Sequence, residues 1–225
     1  MKNMIKTIFA TFLLAWMIDV TQSAEEVTGW AAGDTPVVVL GGTLIDVRNG
    51  DLITGSDIII NGDTIESVGE VTIPQGAIIL DATGKYIIPG LIDLHVHYKD
   101  WSGPLYLNHG VTTVVSLGDT YEWIRAQKKG IKRGLIEGPR LFFSTENLDK
   151  TPENLKNYYV RQHVSLFNDA EDVSEGMRSY LAEQVDAVKV YDGLDEAQLH
   201  AIVEEANKAD IPVIGHFKDV YIAAE

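Results

Sequence analysis

Residues 84–97, GKYIIPGLIDLHVH in one-letter code, constrain this chain more than any other stretch. An apolar run turns at Pro89-Gly90 and resumes as a strand that ends on two histidines one residue apart. Side chains alternate across a strand, so Asp93, His95 and His97 share one face while Leu94 and Val96 share the other. Positions two apart lie about 6–7 Å from each other, so two imidazoles placed this way can grip one metal ion. A bare His-x-His pair also suits a plainer arrangement, with one ring closing a turn and the other buried. The surrounding residues decide between them.

PGLIDLHVH, following Gly84-Lys85 and an apolar run, resembles the first barrel strand of the amidohydrolase superfamily. The likeness extends in both directions. Upstream, residues 37–69 (VVVLGGTLIDVRNGDLITGSDIIINGDTIESVG) are similar to the family's small β-domain. Downstream, HGVTTVVSLGD (109–119) resembles the second barrel strand, VDAVKVYDG (185–193) the fourth and IPVIGHF (211–217) the fifth. The nearest branch holds imidazolonepropionase-like and prolidase-like enzymes. The implied fold class is α/β: a TIM (β/α)8-type barrel, present here as about its first five strands, preceded by a small urease-type β-sandwich domain. In the family the two histidines of the first strand bind the more buried metal, which assigns that role to His95 and His97.

The rest of the chain divides consistently with this. Residues 1–23 carry Lys2 and Lys6, an apolar core over 8–18, and Thr21-Gln22-Ser23 before Ala24, the pattern of a secretory signal peptide. That core is too short for a bilayer, which takes about 20 apolar residues. The expectation is an exported protein, periplasmic or secreted. With no cysteine there is neither a disulfide framework nor a lipidation site. Residues 24–88 form an arm around Trp30 followed by short strands at 37–40, 43–47, 57–61, 64–68, 78–81 and 86–88. Turn signals at Gly41-Gly42, Asn49-Gly50, Asn61-Gly62-Asp63 and Thr83-Gly84 separate them. No titratable cluster occurs there, so this part is structural.

Residues 89–225 alternate strand with helix, the rhythm of a parallel sheet covered by helices. Helices are expected at 103–108, 120–133, 174–184 and 195–208, and strands at 110–117, 139–144, 187–191 and 211–216. Residues 147–172 read as a long polar and aromatic insert at the carboxyl end of the third strand. Loops at that end of a TIM-type barrel line the active site. Asp195 suits a helix N-cap with Gln198 three residues on.

Two side chains complete the candidate centre. Lys189 lies between Val188 and Val190; if the valines face the helices, the lysine points into the barrel with Ala187 and Tyr191. An unpaired ammonium there is costly, so it must be paired, neutral or modified. The resemblance implies the last: a fourth-strand lysine that takes up carbon dioxide, and as a carbamate bridges two metals. A structural ion pair is the alternative. His216 matches the fifth-strand histidine that binds the second metal. The implied cofactor is one or two divalent ions, Zn²⁺ by expectation. Tyr98, next to the pair, is placed toward the site entrance. His109 reads as a core or capping residue, His163 as a solvated loop residue with reach toward substrate as the alternative, and His200 as surface.

The formal net charge is −15, and without residues 1–23 the chain holds 16 basic and 32 acidic residues. Such a surface repels phosphate backbones and anionic lipid, so the expected partner is a small-molecule substrate rather than nucleic acid or membrane. Homo-oligomerisation stays open. The implied activity is a hydrolase in which metal-activated water cleaves a C–N bond of an amide, cyclic amide or dipeptide-like substrate. Esters, lactones or phosphotriesters on the same scaffold are the alternative, as is an inactive or binding protein. The family's sixth-strand histidine and eighth-strand aspartate have no counterpart up to Glu225, and neither Asp119 nor Asp219 matches that aspartate. The expectation is therefore the amino-terminal part of a longer enzyme. As an isolated chain, it is expected to show poor solubility, weak metal retention and little turnover.

Overall fold

The computed structural model describes residues 35–150, 164–182 and 184–216. The expected leader, Trp30, His163 and Asp219 lie outside them. The described residues fall into two compact units. The first holds those up to Asp93, Asp100–Thr113 and Gly130–Arg140; the second holds Leu94–Lys99, Val114–Lys129 and those from Leu141 on.

In the first unit, β1 (Val37–Ile45) pairs antiparallel with β2 (Leu52–Asn61), and β2 pairs antiparallel with β3 (Thr64–Gly69). On its other side β1 runs parallel to β4 (Ile78–Asp81) and to β5 (Tyr86–Ile87). Asn61 faces Thr64 across the hairpin, and Gly62 takes the positive φ such a turn needs. The core is Val39, Ile58, Ala82 and Ile87, with Leu44, Ile60, Ile65 and Leu80 against it.

Gly41-Gly42 does not separate two strands as expected. β1 runs through it, shifting register on both sides of Gly42, which makes the glycines a bulge. Gly41 adopts φ +70° and its N–H donates to Asp57 Oδ1 at 2.8 Å. At Gly42 a Cβ would meet Ile87 Cδ1 at 2.3 Å, so the bare backbone is what lets the strand cross the core.

β6 (Leu91–Val96), α1 (Gly103–Asn108) and β7 (Val111–Ser116) start the strand–helix alternation. α2 (Tyr121–Lys132), β8 (Arg140–Asp149), β9 (Val164–Leu166), α3 (Ala170–Ala182), β10 (Ala187–Val190), α4 (Glu196–Lys208) and β11 (Val213–Gly215) follow. The sheet order is β11-β10-β8-β7-β6, with β9 paired to β8, in a parallel curled sheet that forms part of a barrel. Chain order and spatial order coincide apart from β9, as in a singly wound barrel.

Two boundaries differ from the sequence expectation. The third strand runs on to Asp149, because Asn147 and Leu148 pair with both β10 and β9 and Asp149 pairs with β9. Part of the expected insert is therefore sheet. α3 starts at Ala170 instead of residue 174, since Asp169 Oδ1 accepts the N–H groups of Glu171 and Asp172 at 2.9 and 3.0 Å. In the second unit Leu148, Phe167, Val173, Met177, Val188, Val190, Leu199, Ile202 and Ala206 form the core.

α4 opens with the expected capping box. Asp195 Oδ1 accepts Gln198 N–H at 3.0 Å, and Gln198 Oε1 accepts Asp195 N–H at 3.1 Å. Gln198 Nε2 then donates to Phe167 O at 3.0 Å, joining the helix start to the segment before α3. Lys128 donates to both Asp186 oxygens at 2.7 and 2.6 Å, and Asp186 also accepts Phe143 N–H at 2.9 Å, tying α2 to the approach to β10. Among the described residues, no helix is long and apolar enough to cross a membrane.

Candidate metal centre

The carboxyl ends of β6, β10 and β11 carry the four side chains singled out in the sequence. His95 and His97 are exposed, their ring centroids 5.5 Å apart with planes at 78°. Rings bound to one tetrahedral ion at about 2.0 Å have centres about 5 Å apart, so this spacing suits a shared cation. His97 Nδ1 lies 3.0 Å from Leu117 O. A carbonyl only accepts, so Nδ1 carries the proton and Nε2 presents a lone pair, the tautomer a metal needs.

The loop after β6 is braced from β7. Ser116 Oγ accepts Tyr98 N–H at 2.9 Å and donates to Asp119 Oδ2. Ser116 and Asp119 are 1% and 3% exposed. Gly118 N–H donates to Ser144 Oγ at 2.9 Å, and Asn147 Nδ2 reaches Gly118 O at 3.5 Å. These buried hydroxyls and the amide fix the turn that holds Leu117 O against His97. Sequence reading missed them because a serine or threonine inside a β-branched run looks like ordinary strand filling. The one available signal was the density of hydroxyl residues near the ends of β7 and β8.

Lys189 is 2% exposed, and its N–H donates to Thr145 Oγ1 at 3.0 Å. Burial pushes its ammonium pKa down from the ordinary value. No carboxylate among the described residues forms an ion pair with it, so the ion-pair alternative finds no partner there. His216 follows β11, with its N–H 3.2 Å from Val190 O and its ring centroid 4.7 Å from that of Tyr191. Its pKa is lowered first by desolvation, then by the positive charges of Lys189, His95 and His97; Asp192 pulls the other way. The Tyr191 hydroxyl is pushed up by burial and then by Asp192 and Asp149, which keeps it neutral.

The remaining candidates separate. The structure puts Tyr98 in the core instead of at an entrance: it is fully buried, its ring 6.4 Å from Trp123, because alternation turns it away from the face His97 occupies. His109 caps α1, its Nδ1 2.8 Å from Leu105 O, and His200 is exposed on α4.

Chemically the set is three imidazoles and an amine, all nitrogen donors suited to a divalent cation. Among the described residues no group of three or more His, Cys, Asp or Glu is drawn tightly enough to hold a metal ion.

A curled parallel sheet bearing such a set at the carboxyl ends of its strands defines a TIM-barrel enzyme scaffold. No protein-family model matches the chain. The chain is 30% identical over 201 residues to a dihydroorotase of Lactobacillus helveticus, covering 76% of this chain and 45% of that protein. It is 32% identical over 109 residues to an adenine deaminase of Mesorhizobium japonicum, covering 46% of this chain and 18% of that one. A solved prolidase complexed with N-methylphosphonate-L-proline superposes with a TM-score of 0.70 at 23% identity, covering 84% of this chain and 58% of the prolidase. In sequence and in fold the chain is similar to amidohydrolases. It spans less than half the length of the curated relatives it matches.

Proposed function

We propose that this chain belongs to a metal-dependent hydrolase in which metal-activated water cleaves the C–N bond of an amide, a cyclic amide or a dipeptide-like substrate. The observation that supports the reading is the position of His95, His97, Lys189 and His216 at the carboxyl ends of three strands of one curled sheet, with His97 Nδ1 bonded to Leu117 O so that Nε2 is left to ligate. The named relatives, a dihydroorotase, an adenine deaminase and a prolidase, are enzymes of C–N bonds, which supports the bond type.

His95 and His97 would hold one divalent ion, Zn²⁺ in this reading, and His216 a second. Lys189 would supply an oxygen ligand: its deprotonated amine would add to carbon dioxide and release a proton, giving a carbamate. What the ions supply when bound is a water pKa near about 7 and a polarised carbonyl. Leu117 O keeps His97 aimed throughout, and the exposure of both histidines lets substrate reach them. The division proposed is residues 1–23 as a leader for export to the periplasm or beyond, 24–88 as the small β-domain with its amino-terminal arm, and 89–225 as the amino-terminal part of the barrel.

The test is metal analysis of the purified chain and of His95→Ala, followed by a panel of N-acyl amides, cyclic amides and dipeptides. With Zn²⁺ supplied in excess, weak uptake of one to two divalent ions per chain, lost in His95→Ala, is the expected result. A chain that takes up no metal under excess Zn²⁺, or a His95→Ala variant that binds it equally well, would overturn the assignment. Turnover of esters, lactones or phosphotriesters but no amide would move the substrate class and leave the centre standing.

A further inference from the structure

Among the described residues, the backbone contacts at His216 hold its main chain. Its N–H is bonded to Val190 O at 3.2 Å, and β11 is seated closely on β10 because residue 215 has no side chain. A Cβ at Gly215 would meet Val190 Cγ2 at 2.3 Å and Val190 O at 2.4 Å. This places the His216 Cα, and its imidazole is exposed. Its ring lies against that of Tyr191, at 4.7 Å between centroids and 59° between planes. Tyr191 N–H donates to Leu148 O at 2.9 Å, carrying the ladder one residue beyond β10, so Tyr191 and Lys189 stand two apart on one extended run.

We propose that Tyr191 is a positioning residue whose aromatic ring, not its hydroxyl, holds the His216 imidazole in the orientation that lets it ligate. One strand end then supplies both the amine at Lys189 and the platform for the ring opposite it. The inference rests on the metal-centre reading above, and its test has one readout that needs no metal.

In the metal-free full-length chain, the Tyr191 ring current displaces the His216 ring-proton resonances. Tyr191→Phe keeps that displacement and Tyr191→Leu abolishes it; a spectrum unchanged by Tyr191→Leu overturns the stack itself. In titrations with Co²⁺, Tyr191→Phe binds as the wild type does. Tyr191→Leu weakens the lower-affinity site by about 10- to 100-fold, the usual effect of losing a supporting residue, and leaves the tighter site unchanged. Unchanged affinity at both sites in Tyr191→Leu, or an equal loss in Tyr191→Phe, overturns the positioning role. Tyr191→Phe alone decides the part played by the hydroxyl if the leucine variant does not fold. A wild-type chain that shows the ring-current displacement but takes up no Co²⁺ sinks the metal-centre reading, and the positioning role with it, while the stack survives as packing.

Discussion

Lys189 is a lysine enclosed by the sheet, and its protonation links the centre to stability. Burial lowers its pKa below the ordinary 10.5. Between the lowered value and 10.5 the unfolded chain holds a proton here that the folded chain has shed, so in that window this residue makes stability rise with pH. Below both values the folded chain bears the full penalty of a buried ammonium, and above 10.5 none. Lys189→Met in chelator-treated protein is therefore expected to be more stable than the wild type at pH about 7, by about 1 kcal/mol or more. Each kcal/mol corresponds to about 2–4 °C in a chain of this size. The gap should narrow toward pH about 10. Thermal melts at both pH values check this; a less stable variant, or a gap independent of pH, would show that the ammonium is better accommodated than its burial indicates. The His216 pKa is lowered too, again with desolvation as the first cause.

At the level of elements, α4 shows how a local signal is built into packing. Asp195 accepts from Gln198 N–H and also pairs with Lys150. The pair is roughly half exposed on the aspartate side and adds little, whereas the cap satisfies a helix donor. Asp195→Ala is expected to cost about 1 kcal/mol, and Asp195→Asn, which still caps but carries no charge, much less. Urea denaturation of both variants separates the effects: an equal loss in both would assign the stability to the ion pair. The cap was readable from sequence because it needs only Asp195 and Gln198 at the right spacing. So were the His95–His97 alternation and the order of barrel strands, which depend on residues adjacent in the chain. The extension of β8 and the existence of β9 were not, since residues 147–149 become strand only by pairing with segments far along the chain. Nor was the Gly41-Gly42 bulge, whose cause is Ile87, more than 40 residues away. The hydroxyl braces behind His97 were hidden for the same reason: the partners of Ser116, Ser144 and Thr145 are set by the curl of the sheet.

For the molecule as a whole, two forces oppose each other at the sheet's terminal strand. β6 is the last strand in the order, and Leu91, Ile92 and Leu94 on it are 46%, 62% and 67% exposed. An exposed apolar edge strand invites association with another copy. The net charge of −15 resists it, with a reach of about 8 Å at physiological salt. Added salt shortens that reach and leaves apolar contact intact, so self-association of the wild type should rise with ionic strength. Leu94→Lys tests the source of the attraction. The substitution brings the net charge one unit nearer zero, which by repulsion alone would favour association. It also puts an ammonium into the apolar edge, the usual device by which edge strands avoid one another. The expected result by light scattering and sedimentation is less association at every salt concentration. At so exposed a position, the change in unfolding free energy should stay within about 0.5 kcal/mol. Association that is unchanged or increased in Leu94→Lys would show that the β6 edge is not the adhesive surface and that charge governs the behaviour of the chain.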